Sequence, residues 1–173
     1  MNSKNVFTRM CIGEAVVKLL KKMPYDKLRI TAVARKAGVS RMTFYKYYET
    51  IYDALTDYLN IIIIEYIDAC KNNSKNGSFR DSGSILFALN FFDRYREFFL
   101  TLSGHGLHSI LIKGINDFMS KYYVKGKNYS SYSLYCYAGG LLNVFLKWEE
   151  EGCSQPAEEV AKTLYELYNS MKR

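Results

Sequence analysis

The sequence predicts an all-α protein of about nine helices, and three observations carry that prediction. Apolar residues recur at helical spacing through most of the 173-residue chain. Helix breakers are scarce: two Pro and 11 Gly are too few for the many turns of an all-β fold. The one run that reads as a buried strand, Ile61 to Ile64, lies in a segment too long for a strand. There Leu55, Tyr58, Leu59, Ile62, Tyr66 and Ala69 keep the helical period.

Each element has its own justification. Val6, Phe7, Met10, Cys11, Ala15, Val16, Leu19 and Leu20 make the apolar side of a first helix, about Ser3 to Lys22. Met23-Pro24 ends it, because proline disfavours helical geometry in the residue before it. A second helix runs from near Thr31 to Ala37 and stops at Gly38, which takes the left-handed cap conformation readily. Ser40 caps a third, Arg41 to Tyr47. Thr50 and Asp53 form a capping box for a fourth that reaches about Lys71 and is apolar on most sides. The run from Lys71 to Ser84 has linker composition. Helices then follow at about Ile85–Asp93, Arg94–Leu102, Leu107–Tyr123, Ser131–Glu151 and Ala157–Met171, with a loop at Lys125–Asn128. The organisation expected is a first domain over 1–50, a connecting helix over 51–72, and a second helical domain over 73–173.

Composition bounds the function. With 49% hydrophobic and 24% charged residues the chain is globular rather than disordered. Cys11, Cys70, Cys136 and Cys153 are far apart and form no CxxC pair, which fits reduced core thiols. The N-terminus lacks the apolar run of a signal peptide, and no window resembles a membrane span. A cytoplasmic location is expected. The net charge of +7 is concentrated: residues 1–50 hold eleven Lys and Arg against three Asp and Glu, a net of +8. Localised positive charge is the footprint of a polyanion binder. It favours nucleic acid over an acidic protein or membrane surface.

The stretch VARKAGVSRMTFYKYYE, Val33 to Glu49, gives that charge a form. Two short helices joined by Ala37-Gly38-Val39-Ser40 have the spacing of a helix-turn-helix. Val33, Ala34, Val39 and Phe44 are expected to pack the pair against helix one, with Tyr48 also in the core. The other face of the third helix then enters the major groove, N-terminal residues nearest the base edges. Arg41, Thr43, Tyr45, Lys46 and Tyr47 stand in water until DNA covers them.

On these residues the chain resembles the TetR family of transcriptional regulators. The matching positions are Thr8, Ile12, Ala15, Leu19, Val33-Ala34, the run Ala37 to Tyr48, Tyr52-Asp53 and Leu55, about the first 60 residues. Arg96 to Phe99, Tyr137 to Gly140, Lys147-Trp148 and Glu158-Glu159 resemble the branch containing dihydroxyacetone kinase regulators. The resemblance implies a homodimer with an N-terminal DNA-binding domain and a C-terminal ligand-binding and dimerisation domain. By matching position it implies base contacts from Arg41, Met42, Thr43 and Tyr47, and phosphate contacts from Thr31, Ser40, Tyr45 and Lys46. Two positions depart from the pattern. Ile51 stands where the family carries a phosphate-binding lysine, and Arg29 where it carries a capping Thr or Ser. Either Lys46 and Arg29 supply the missing phosphate contacts, or operator affinity is modest.

The function expected is a sequence-specific transcriptional regulator, a repressor on a palindromic operator, released by a small-molecule effector or answering to a partner protein. The competing class is a helical protein-interaction module whose basic half docks on an acidic partner. Phe91, Tyr95, Phe99, His105, Phe118, Tyr122, Phe145 and Trp148 are the candidates to line an effector pocket, although aromatics at this spacing are more often core. His105 and His108 have no Cys or carboxylate close in sequence, so a capping or pocket role is preferred to a metal site. No metal or cofactor is expected. Gly104-His-Gly106 lacks the third glycine of a dinucleotide fingerprint, and neither GxxxxGK nor GxSxG is present, so an enzyme is not expected. Tyr135, Ala138, Gly139, Leu142 and Phe145 on one late helix, with Leu164, Leu167 and Tyr168 on the next, are the expected dimer stripes.

Overall fold

The computed structural model describes residues 3–72, 81–123 and 130–170. Among these there are nine α-helices and no strand: α1 Ser3–Leu20, α2 Ile30–Ala37, α3 Arg41–Tyr47, α4 Ile51–Asn72, α5 Ser82–Asp93, α6 Arg96–Gly104, α7 His108–Tyr123, α8 Ser131–Glu150 and α9 Ala157–Ser170. The all-α class is as the sequence predicts, and boundaries agree within about three residues. One element was not anticipated, a 3-10 turn at Tyr25–Lys27 after Pro24. The middle of the linker-like run and the Lys125–Asn128 loop lie outside the described residues. No described helix is long and apolar enough to cross a membrane.

Packing divides the chain differently from the expected domains. One unit comprises residues 1–65 and 101–114, the other 66–100 and 115–173, so α4, α6 and α7 each contribute to both. The four isoleucines sit just before the division. Ile61 and Ile62 are buried, whereas Ile64 is about half exposed.

In the first unit α1 lies on α2, and α2 on α3. Their core is Ile12, Val16, Leu20, Val33, Ala34, Phe44 and Leu55, each 2% exposed or less. Gly13 is a contact glycine. A Cβ there would stand 2.4 Å from Tyr58 Cγ, so α1 crosses α4 at a distance no larger residue permits. The capping box is reciprocal: the Thr50 N–H donates to Asp53 Oδ2 at 2.8 Å, and the Asp53 N–H to Thr50 Oγ1 at 3.1 Å.

In the second unit α5 packs along α9. Asp81 caps α5, accepting from the Ser84 N–H at 2.8 Å. Ala138, Leu142, Phe145, Leu164 and Tyr168 are all buried within the chain. Of the two stripes read as a dimer interface, only Tyr135, Gly139 and Leu167 reach the surface, joined there by Tyr132. That reading is corrected accordingly. α8 is apolar on more than one face, and periodicity alone does not say which face the chain's own helices cover. Gly140 is used inside the chain, where Tyr168 passes so near that a Cβ would meet its hydroxyl at 2.8 Å. That hydroxyl donates to the Tyr137 carbonyl at 3.0 Å.

α8 ends in a turn with Gly152 at φ 67° and Cys153 at φ 56°. The Cys153 N–H donates to the Trp148 carbonyl at 2.9 Å and the Gly152 N–H to the Glu149 carbonyl at 3.0 Å, which satisfies two helix-end acceptors. Left-handed geometry costs a non-glycine residue about 1–2 kcal/mol. None of the four cysteines is a fully buried core thiol: Cys136 is exposed and the other three half-buried.

Candidate nucleic-acid interface

α3 has seven residues, too few to be stable alone, so its neighbours must hold it. Gly38 adopts the left-handed conformation at φ 69° and turns the chain out of α2. Ser40 then caps α3, its Oγ accepting from the Thr43 N–H at 3.0 Å. Such a cap contributes about 1 kcal/mol. Phe44 points inward and is fully buried, with Tyr48 beside it at 5.7 Å between ring centroids, edge to face.

The strongest anchor is polar. Asp57 on α4 accepts from Arg9 Nε on α1 at 2.7 Å, from Arg9 Nη2 as well, and from the Tyr48 hydroxyl at 2.5 Å. Three segments therefore meet on one half-buried carboxylate just where α3 ends. Burial, followed by the hydrogen bond to Asp57, pushes the Tyr48 phenol well above its ordinary value, so it stays protonated and donates. The hydrogen bond to Asp57 likewise raises Arg9, which stays charged.

The opposite face of α3 carries the predicted residues. Arg41, Met42, Tyr45 and Lys46 are exposed, Met42 by 84%, and Thr43 and Tyr47 are half-exposed. Arg41 lies over the Tyr45 ring and Lys46 over the Tyr47 ring, at 6.0 and 5.8 Å, so the cations and aromatics form one surface. The Tyr47 hydroxyl donates to Asn5 Oδ1 at 3.1 Å, which fixes the ring against α1.

Beside this face is a groove of about 530 Å³ whose walls include Arg29, Thr31, Arg41, Tyr45 and Thr50. It brings Thr31 and Tyr45, two of the four predicted phosphate contacts, together with Arg29; Ser40 and Lys46 do not line it. Arg29 does not cap α2 with its side chain; its guanidinium donates to the Asp26 carbonyl at 3.1 Å and is otherwise exposed. Ile51 is buried under the same groove, so the departure at that position serves the core. Asp26 and Glu49 on the rim temper the positive charge there.

The predicted effector residues are distributed less neatly. Phe91, Phe99, Phe145 and Trp148 are buried among rings, with Phe91–Tyr95 at 5.9 Å, Phe99–Phe145 at 5.2 Å and Phe145–Trp148 at 6.4 Å. Phe118 and the exposed Tyr122 pair at 5.3 Å. Contacts of this kind are those of a packed aromatic core. His105 belongs to the first unit instead, where its Nε2 lies 2.7 Å from the Leu20 carbonyl and finishes α1. His108 Nε2 meets Ser103 Oγ at 3.2 Å. Sequence reasoning missed the Arg9–Asp57–Tyr48 anchor. Its only signal was the placement of two charged residues within the apolar faces of α1 and α4.

No family model and no curated protein matches the sequence. Solved structures do resemble it. The fatty acid degradation regulator FadR from Bacillus halodurans superposes with a TM-score of 0.63 at 17% identity, covering 97% of this chain and 95% of that one. The dihydroxyacetone kinase operon activator DhaS gives 0.60 at 14% identity, with 96% of both chains covered. The regulator FadR from Bacillus subtilis, in complex with stearoyl-CoA, gives 0.54 at 14% identity, covering 92% of this chain and 96% of that one. The fold is that of TetR-type transcriptional regulators.

Proposed function

We propose that a chain with this fold is a sequence-specific DNA-binding transcriptional regulator that lays α3 in the major groove. One observation carries the reading: α3 is fixed from behind by Phe44 and the Tyr48–Asp57–Arg9 anchor, while Arg41, Met42, Tyr45 and Lys46 face water. A rigid helix with an open cationic and aromatic face is built to read a groove. Arg41, Met42, Thr43 and Tyr47 contact base edges. Arg29, Thr31 and Tyr45 hold phosphates along the adjoining groove, and Ser40 and Lys46 hold them from α3 itself.

The regulator acts as a homodimer on a near-palindromic operator, with Tyr132, Tyr135, Gly139 and Leu167 meeting a second copy. It represses by occupying the operator and leaves when the second unit accepts a small molecule. The presence of stearoyl-CoA in one solved relative supports a hydrophobic effector. The activator role of another makes the sign of regulation a matter for direct measurement. The cell compartment is the one that holds the DNA. Selection of duplexes from a random pool by the purified chain tests the reading. Enrichment of one inverted-repeat sequence is the expected result, and an unenriched pool at low salt would return the basic face to an acidic protein partner.

A further inference from the structure

The second unit contains a polar cluster that the proposed function does not use. Asp93 ends α5, Glu149 lies in the last turn of α8, and Cys153 follows in the turn after it. One ligand atom from each lies within 4.8 Å of the others. The Glu149 side chain has no exposure at all, and its Oε1 is buried without a hydrogen-bond partner. Native interiors rarely leave a carboxylate oxygen in that state, and an unmet acceptor of this kind marks the place of a missing donor or cation.

A cation already visits the cluster from outside. Arg96 places Nη2 3.1 Å from Glu149 Oε2 and 3.8 Å from Cys153 Sγ, and Nη1 3.8 Å from Asp93 Oδ1. Only the first of these is a close contact, and the arginine side chain is 43% exposed. The guanidinium thus approaches the three ligand atoms from the solvent side of the cluster. Cys153 Sγ is 3.5 Å from Glu149 Oε2.

We propose that Asp93, Glu149 and Cys153 form a binding site for a borderline-soft divalent metal ion of the zinc class, with water at the fourth position. Two carboxylates with one sulfur favour such an ion over magnesium or calcium, which take oxygen donors. Binding exchanges one cation for another. Arg96 moves out, the Cys153 thiol releases its proton to solvent as the sulfur–metal bond forms, and each carboxylate gives one oxygen, with no electron transferred. Burial, then the Glu149 charge, pushes the free thiol up, so without a metal it is a poor nucleophile. A coordinated thiol loses its proton outright. The ion joins the end of α5 to the end of α8.

The test uses the full chain, stripped with a chelator and titrated with cobalt(II) as a spectroscopic stand-in. One equivalent is expected to bind with a thiolate-to-cobalt charge-transfer band and release of at least one proton, and zinc should displace it. Cys153→Ser should lose the band with unchanged helical circular dichroism. Glu149→Gln should weaken binding by about tenfold or more. Arg96→Ala should tighten it, because the competing cation is gone; a merely structural ion pair predicts no such gain. A folded wild-type chain with no band at millimolar cobalt would overturn the assignment. So would a band that survives in Cys153→Ser, or affinity unmoved by Glu149→Gln.

Discussion

Arg41 and Lys46 carry the same charge on the same seven-residue helix, yet the proposed docking gives them different work. Arg41 is the first residue of α3, at the end that this docking brings to base edges; Lys46 lies in its last turn, which it brings to the backbone. Each is exposed and leans on one ring at about the outer limit of a useful cation–π contact. Replacing either with Ala should therefore change stability by less than about 0.5 kcal/mol. Their effects on binding should diverge. Losing Lys46 removes one phosphate contact per protomer, lowering the slope of log K against log salt by about 0.9 for each protomer, or about 1.8 for the dimer. At an ionic strength of about 0.15 M that amounts to roughly 0.7 log units, or fivefold, per protomer on any duplex. Losing Arg41 removes a bidentate guanine contact of about 1–3 kcal/mol, from roughly fivefold to over a hundredfold, on the operator alone. The assay is fluorescence anisotropy with operator and scrambled duplexes over a salt series. Equal losses on both duplexes with equal slope changes would refute the division of labour. No loss in either variant would remove α3 from the interface.

Four further expectations follow from particular contacts. Asp57→Ala removes the partner that Arg9 and Tyr48 share and should cost about 1.5–3 kcal/mol in chemical denaturation, the range for hydrogen bonds to charged groups. Because the Tyr48 phenol is raised in the folded state, its contribution is complete below the ordinary tyrosine range near 10.0 and is lost as pH climbs above it; Tyr48→Phe should flatten that alkaline decline in melting temperature. Gly13→Ala drives a methyl into Tyr58 and should destabilise by about 1–3 kcal/mol, read by thermal melting. Leu167→Glu should give folded monomers by sedimentation, whereas Leu142→Glu should unfold the second unit.

The first sixty residues were the most legible, because their structure is decided locally. Ser40, Gly38 and the Thr50–Asp53 pair act on their immediate neighbours, and each acts in the structure as its chemistry dictates. What sequence did not show depends on which distant surfaces meet. Ala138, Leu142 and Phe145 were read as an outer stripe because nothing local marks them as covered by the chain's own helices. His105 was grouped with aromatics near it in number, yet it closes the end of α1 eighty-five residues earlier. Asp93, Glu149 and Cys153 escaped for the same reason. Only the four-residue step from Glu149 to Cys153 was visible in advance, and it lacks its third member until α5 is placed.

The mounting of α3 has a consequence for descent as well as for mechanics. Apart from the Tyr47–Asn5 hydrogen bond, what fixes the helix lies on its inner side or beyond its end: Phe44, Tyr48, Asp57, Arg9 and the Ser40 cap. Nothing at Arg41, Met42, Tyr45 or Lys46 is needed to keep the chain folded. Substitution can wander over those four positions at little thermodynamic risk, trying new operators while the scaffold stays the same. A lineage built this way can duplicate and re-address itself to new promoters by a few outward-facing changes. Its inner residues, by contrast, have almost no freedom to drift.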